Sequence, residues 1–286
     1  MSHEPWYVRF ARSFGWRAYA IPVLAVITVW VLIDVFTGSG MSSPEQTPDQ
    51  AAESSTLETG PNPADQPDPR IAAAELPAGG PYATESTGEY RLIGRPGAEA
   101  GRGTEKTVRY VIEVEKGVDT SSTGGDDALA HMIDTTLTNP AGWTHDERFR
   151  FEHVGPDDDP NMRIQLTSVG TTHETCGHDL AMETSCFYSD GNRLVINEAR
   201  WVRGATPFKG DIGSYRQYLI NHEVGHGIGF AAHQPCGGDG ELAPVMMQQT
   251  LSLNNAELHS FDPEEVYPDV DETCRYNPWP YPKVQP

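Results

Sequence analysis

The sequence predicts an α+β fold, a small mixed sheet with one site-bearing helix, behind an N-terminal transmembrane helix. Three observations support this fold class. Apolar and polar residues alternate in several segments, apolar residues recur at helical spacing in others, and one long apolar run lies near the N-terminus. Alternation is typical of strands, whose side chains point to opposite faces in turn, and the 3.6-residue period is typical of helices. Because strands and helices are interspersed, a layered α+β domain is expected.

Residues 18–37 form the predicted transmembrane signal-anchor, and residues 1–17 the predicted cytoplasmic N-terminus. The apolar run includes "IPVLAVITVWVLIDVF", and a helix that spans a bilayer needs about 17–25 such residues. Arg9, Arg12 and Arg17 precede the run, so the positive-inside rule places the C-terminal domain outside the cell membrane. Small residues in "TGSG" leave open the alternative of a cleaved signal peptide and a secreted protein. Both readings place the bulk of the chain outside the cytoplasm.

Residues 38–87 are predicted to form a disordered, acidic, Pro-rich linker. Nine Asp or Glu residues and a single basic residue, Arg70, lie between Gly38 and Tyr90. A segment with this composition buries too little apolar surface to fold alone. The whole chain of 286 residues has a formal charge of −21. Nucleic-acid binding needs clustered Lys and Arg to contact phosphates, so this composition argues against a nucleic-acid partner.

The folded domain is expected over residues 88–286. Its strands are predicted from the alternation in "TVRYVIEVE", "RFRFEHV" and "NMRIQLTS", and a helix from the apolar stripe in "DDALAHMIDTTL". The short apolar run "RLVINEARW" predicts a more buried strand. Polar residues between Met162, Ile164 and Leu166 favour an edge strand with one face in water. We expect the edge near Ile164 to align an extended peptide by strand addition.

Four cysteines lie beyond the predicted anchor, and none forms a C-x-x-C pair that would indicate a structural zinc knuckle. An even number of cysteines in an exported chain predicts two disulfides. Four cysteines allow three pairings. Proximity along the chain favours Cys176–Cys186 and Cys236–Cys274.

A second helix is predicted from "SYRQYLINHEVGHGIG". Ser214 and Gln217 have the spacing of a capping box at its start, and Gly229 is a suitable stop because glycine accepts the left-handed conformation. Apolar residues recur on two sides of this helix, which indicates a buried element. One of the two rows consists of Ile220, Val224 and Ile228.

The same helix carries the His-Glu-x-x-His pattern that predicts a zinc site. His222 and His226 are four residues apart, so both imidazoles share one helix face and can bind one ion. Glu223 lies about 100° round the helix from His222 and can face the open side of the metal without binding it. A zinc ion with three protein ligands keeps a position for water, whose proton Glu223 would accept as general base.

The third ligand is expected to be His233, four residues after Gly229. One extra residue in an exposed loop costs little entropy, and Cys236, if disulfide-bonded, would hold the far end of that loop. Three alternatives stay open from the sequence, one of which is that the ion has no third protein ligand. His259 could reach back over the cleft, and Glu257 could act as a downstream carboxylate ligand.

The stretch from about Thr107 to Thr250 resembles the bacterial family catalogued as domain of unknown function 3152. The matching segments are "GW" at 142–143, "GNRLVINEARW" at 191–201, "YRQYLINHEVGHGIG" at 215–229 and "PVMMQQT" at 244–250. The resemblance implies a membrane-attached or secreted, zincin-like zinc metallopeptidase domain. It also implies that Met246 or Met247 belongs to a Met-turn below the metal. The chain departs from the family pattern at the third histidine, which the family has one residue nearer to the helix.

The expected function is therefore that of a membrane-anchored, extracytoplasmic zinc peptidase acting on a protein or peptide substrate. Two alternatives share the same sequence features. One is a non-catalytic zincin-like module that binds a partner in the cleft, and the other is a zinc amidase acting on cell-wall peptides. The presence of Glu223 favours a hydrolase over a binding module, because only catalysis requires that carboxylate.

Overall fold

The computed structural model of the protein describes residues 28–29, 74–85, 87–177 and 182–283. All elements discussed below belong to the unit formed by residues 61–286. The predicted cytoplasmic segment 1–17 lies outside the described residues, as does the predicted anchor 18–37 except for residues 28–29, and so does most of the predicted linker. Among the residues that are described, no helix has the length and apolar character needed to cross a membrane.

A single mixed sheet of seven strands forms the centre of the domain. The strands are β1 (Tyr90–Ile93), β2 (Glu99–Gly101), β3 (Lys106–Glu115), β4 (Phe149–His153), β5 (Met162–Thr167), β6 (Cys186–Tyr188) and β7 (Arg193–Asn197). Their order is β2-β4-β3-β5-β7-β6, and β1 pairs with the C-terminal half of β3. The pairs β3–β4, β3–β5 and β5–β7 are parallel, whereas β1, β2 and β6 each pair antiparallel with a neighbour. The prediction of an α+β domain with a mixed sheet is confirmed.

Five α-helices lie within the described part of residues 74–283. They are α1 (Gly125–Leu137), α2 (Val169–Cys176), α3 (Glu198–Arg203), α4 (Ile212–Ile228) and α5 (Asn255–Phe261). The main hydrophobic core forms between one face of the sheet and the apolar sides of α1 and α4. Its strand residues are spaced two apart, as in Val108, Tyr110, Ile112 and Val114, and its α4 residues include Leu219, Ile220, Val224 and Ile228. The two apolar rows predicted for α4 therefore explain why this helix is buried.

The predicted position of β5 at an edge of the sheet is wrong, because β5 lies between β3 and β7. Of the polar residues that suggested a wet face, Gln165 is buried, whereas Arg163 is exposed. Gln165 donates to Glu113 over 2.8 Å, and Arg163 forms an ion pair with the same carboxylate. Among the strands of the described residues, β6 lies at the edge beyond β7 and pairs with no other strand. A cross-strand network of polar side chains can thus look like solvent exposure in a sequence.

The segment "RLVINEARW" is not one strand, which corrects a second prediction. Strand β7 ends at Asn197, whose side chain accepts a hydrogen bond from the Ala199 amide and caps helix α3. The remaining residues "EARW" are helical. An asparagine that bonds its own downstream backbone starts a helix even within an apolar run.

Helix α4 begins two residues before the predicted capping box. Its N-cap is Asp211, whose carboxylate accepts a hydrogen bond from the Ser214 amide over 3.0 Å. Ser214 therefore lies within the first turn, where it cannot cap the helix. The predicted end is confirmed, since Gly229 has a φ of 117° and its amide bonds to carbonyls of the last turn.

Residues 74–85, 87 and 88 pack against the domain, although they fall mostly in the segment predicted as linker. Arg200, fully buried, donates to the carbonyl oxygens of Ala74 and Glu75. The Ala83 amide donates to buried Glu198 over 2.7 Å. The amides of residues 87 and 88 both donate to buried Glu115. Three buried charged side chains hold this segment through its backbone, and the packed unit thereby extends N-terminal of residue 88.

Both disulfides form with the sequential pairing, Cys176–Cys186 and Cys236–Cys274. The first joins the end of α2 to β6, and the second joins the loop after α4 to the C-terminal segment. Two such bonds are consistent with an oxidising, extracellular environment.

Candidate metal centre

Helix α4 places the side chains of His222, Glu223 and His226 at one end of the core. Two glycines in its last turns allow close packing on both sides. A Cβ atom on Gly225 would overlap the Sδ atom of Met246 and lie 2.9 Å from the ring of Trp143. A Cβ atom on Gly227 would lie 2.9 Å from the ring of Phe187 in β6. The helix can approach these side chains only because it lacks side chains of its own there.

The structure brings His222, His226 and His233 together. One nitrogen from each ring can be chosen so that all three lie within 4.8 Å of one another. The ring centroids are 4.9 Å apart for His222 and His226, 5.5 Å for His222 and His233, and 5.2 Å for His226 and His233. His222 is buried and the other two are partly exposed. Three imidazoles at this separation can hold one tetrahedral ion with a fourth position left for water.

Each of the three rings has its Nδ1 atom beside an oxygen acceptor. The partner of His222 is the Val245 carbonyl at 2.9 Å, and that of His226 is the Phe230 carbonyl at 2.9 Å. The Nδ1 atom of His233 lies 3.4 Å from the Glu265 carboxylate. A carbonyl or carboxylate can only accept, so Nδ1 must carry the proton and a neutral ring presents the lone pair of Nε2. This set of tautomers suits zinc, whose histidine ligands typically bond an oxygen through their other nitrogen.

Burial favours the neutral rings as well. It lowers the pKa of His222 well below its ordinary value, and the neighbouring His226 and His233 rings lower it further. Burial and His233 together also lower the pKa of His226. Neutral imidazole is the form that binds a metal, so these two rings need not lose a proton to do so.

The loop after α4 accommodates the extra residue before His233 through contacts at both ends. The Phe230 amide still bonds to the Gly225 carbonyl, and the Phe230 ring stacks on Trp143 with centroids 4.6 Å apart. Beyond His233, the Gln234 amide donates to the Met246 carbonyl over 3.1 Å. Contacts at Phe230 and at Gln234 thus fix the two ends of the loop that presents His233.

The two alternative third ligands lie elsewhere. The Nδ1 atom of His259 pairs with the Tyr267 carbonyl at 3.0 Å, and Glu257 accepts a hydrogen bond from Ser252. Neither belongs to the histidine cluster found among the described residues. Both side chains are on α5, and the structure brings His233 rather than either of them to the His222–His226 pair.

The predicted Met-turn residues are both buried beside α4, in different surroundings. Met246 packs against Gly225 in the main core. Met247 belongs to a second hydrophobic cluster, and its carbonyl accepts a hydrogen bond from the Tyr218 hydroxyl over 2.9 Å. Since the Val245 carbonyl orients His222, the turn contacts the site helix through three consecutive residues.

Glu223 is buried, and its carboxylate accepts a hydrogen bond from the backbone N–H of Phe187. Burial raises the pKa of Glu223 to about 8, against the lowering effect of the Phe187 amide. A carboxyl group with a pKa near neutrality can both accept and release a proton. The contact with the Phe187 amide also brings β6 close to this carboxylate.

Several partners of these residues are not evident from the sequence. The carbonyl groups of Val245 and Phe230 leave no signature, because every residue has one. Glu265 lies thirty-two positions after His233 in a run of acidic residues that shows no spacing of its own. Gly225 is the exception, since a glycine between two site histidines indicates a close approach to the helix.

Comparison with curated proteins and with solved structures finds no match for this chain. The family described as "Protein of unknown function (DUF3152)" matches residues 76–282. That range includes all seven strands, all five described helices, the histidine cluster and both disulfides. Because the match covers well over half of the sequence, the chain belongs to the DUF3152 family.

Proposed function

We propose that the protein is a membrane-anchored, extracytoplasmic zinc peptidase of the zincin type. The observation that carries the proposal is the convergence of three imidazoles, His222, His226 and His233, at the helix that also carries the buried carboxylate of Glu223. Their Nδ1 protons are held by oxygen acceptors, so three Nε2 lone pairs are available to one ion. This donor set fits catalytic zinc, which uses three protein ligands and leaves one position open.

Zinc bound there would supply an acidified water molecule and polarise the carbonyl group of the substrate. The chain itself contributes the proton transfers. Glu223 would accept the proton of the attacking water at a carboxylate oxygen and then deliver it to the nitrogen of the leaving amine. A group that must accept a proton from one partner and release it to another is favoured by a pKa near neutrality, and burial brings the pKa of Glu223 to about 8.

The free edge of β6 supports an extended peptide as the substrate. The strand is antiparallel to β7 and carries Phe187, whose amide already reaches Glu223. A peptide that paired with this edge would have its backbone aligned by main-chain hydrogen bonds and its carbonyl beside Glu223. The role that we expected for the edge near Ile164 is therefore reassigned to β6.

An extracytoplasmic location is supported by the disulfides and by the apolar run at residues 18–37 with the arginines before it. Both features agree with a domain that acts outside the cell membrane.

Metal analysis and peptide-library cleavage with the purified full-length protein test the proposal. Wild type should hold about one zinc per chain, and His222→Ala/His226→Ala should hold almost none. Glu223→Gln should retain zinc and lose turnover by about 10²–10⁴-fold, the usual contribution of a general base. Equal zinc in wild type and the double variant, or undiminished cleavage by Glu223→Gln, would contradict the proposal.

A further inference from the structure

We propose that the substrate carries a lysine or arginine side chain next to the bond that is cleaved, and that a small acidic cavity beside His233 binds it. This inference rests on the proposed function, because it assigns a substrate class to the same site. The cavity is separate from the histidine cluster but shares His233 with it. A substrate side chain bound in this cavity would therefore belong to a residue close to the carbonyl group that is attacked.

One part of the cavity wall is apolar and comprises Leu251, Leu258, Phe261 and Tyr267. The Tyr267 ring lies nearly parallel to that of His233, with centroids 6.4 Å apart, so one wall stands directly beside the metal centre. Phe261 is one of the few large apolar side chains that the described residues expose to solvent. An exposed apolar wall next to a candidate active site is typical of a surface that a substrate covers.

Two carboxylates, from Asp262 and Glu265, line the same cavity. Within the described part of the chain, neither is ion-paired with a lysine or arginine, and the basic partner of Glu265 is His233. The surrounding segment 261–272 contains six acidic residues and no Lys or Arg. The negative potential at the cavity is therefore not balanced from within the segment, and it would attract a cationic group.

The size of the cavity agrees with such a side chain. Its volume is about 60 Å³, and a water-sized group needs roughly 10–15 Å³ by this measure, so about four to six groups fit. A lysine side chain beyond its Cβ atom has four heavy atoms. Its methylene stem would pack on the apolar walls while its ammonium group reaches the carboxylates, as long basic side chains commonly do.

Matched peptides separate the charge of the side chain from its shape. We would measure cleavage, by purified full-length protein, of positional-scanning peptides that carry Lys, norleucine, Leu or Glu at one fixed position. Norleucine has the same unbranched stem as lysine without the charge. Wild type should prefer Lys to norleucine by about three- to fivefold at the position beside the cleaved bond, the scale of an exposed ion pair. Glu should be disfavoured.

Variants within one loop identify the carboxylate that is responsible. Glu265 is already paired with His233, so Asp262 is the carboxylate left for the substrate, and Asp262→Asn should bring the Lys-to-norleucine ratio close to one. Asp269→Asn removes the same charge from the same segment at a residue outside the cavity, and should retain the preference. Raising the salt concentration should lower the ratio for wild type, because exposed charges are screened. Equal cleavage of Lys and norleucine peptides, or a preference that Asp262→Asn leaves intact, would overturn the inference.

A binding measurement distinguishes failure of this inference from failure of the proposed function. Full-length Glu223→Gln is applied to an array of the same peptides, and the bound protein is quantified. A preference for Lys that Asp262→Asn abolishes supports the cavity assignment even where no peptide is hydrolysed. Absence of Glu223-dependent hydrolysis would contradict the proposed peptidase function and would leave the assignment of the cavity standing. Absence of a Lys preference in both assays would eliminate the cavity as a cation subsite.

Discussion

The Nδ1 atom of His222 lies 2.9 Å from the carbonyl oxygen of Val245, and this contact joins the site helix to the turn that packs against it. The next residue of the turn, Met246, packs against Gly225, one residue before His226. Orientation of the His222 ring and close packing at Gly225 therefore depend on the same turn. A change in the separation of helix and turn should disturb both.

Gly225→Ala should destabilise the fold by about 1–3 kcal/mol and weaken zinc binding, because a Cβ atom there overlaps Met246 and crowds Trp143. Gly213→Ala is the matched control in the same helix. A Cβ atom at that position makes only an ordinary contact of 3.6 Å with Asp211, so the change should be neutral or stabilise by up to about 1 kcal/mol. Urea denaturation and zinc titration measure the two effects. Equal stability for the two variants would refute the packing argument.

His233→Ala should lower zinc affinity by at least about tenfold, since it removes one of the three proposed ligands. His259→Ala should leave zinc affinity close to that of wild type. His259 lies on α5, and its ring pairs with the Tyr267 carbonyl and not with the histidine cluster. Competition with a chelator of known affinity provides the measurement. Retained affinity in His233→Ala together with a loss in His259→Ala would reverse the assignment of the third ligand.

Replacement of both Cys236 and Cys274 by serine should weaken zinc binding by about tenfold, in addition to any loss of stability. The disulfide holds the chain three residues after His233 and closes a loop with a sequence separation of 38, so its removal frees the segment that presents this ring. The control is the double serine variant at Cys176 and Cys186, a bond that lies outside the His233 loop. Similar zinc affinities for the two double variants would contradict a specific effect on His233.

A fragment that begins at residue 74 should be more stable than one that begins at residue 89, by at least about 2 kcal/mol. Removal of residues 74–88 deprives buried Glu198 and Glu115 of backbone N–H donors and exposes Arg200, and an unpaired buried charge is costly. Urea denaturation of the two fragments compares them. Equal unfolding free energies would mean that these contacts contribute nothing to stability.

Local spacing in the sequence determined the helix that carries the site and two of its three histidines. His222, Glu223 and His226 are positioned by the repeat of a single helix, and alternation predicted β3, β4 and β5 correctly as strands. The choice of α+β and the end of α4 at Gly229 also follow from short-range features. These features depend on neighbours in the chain, so the sequence contains them directly.

Only the tertiary structure decided which distant groups meet. It placed β5 between β3 and β7 and β6 at the edge, and it paired Gln165 of β5 with Glu113 of β3 across the strands. It brought His233, and not His259 or Glu257, next to His222 and His226. It also supplied the Val245 and Phe230 carbonyls that orient two of the rings. Such contacts depend on how the chain packs across long separations, and carbonyl groups are common to every residue, so no local pattern identifies them.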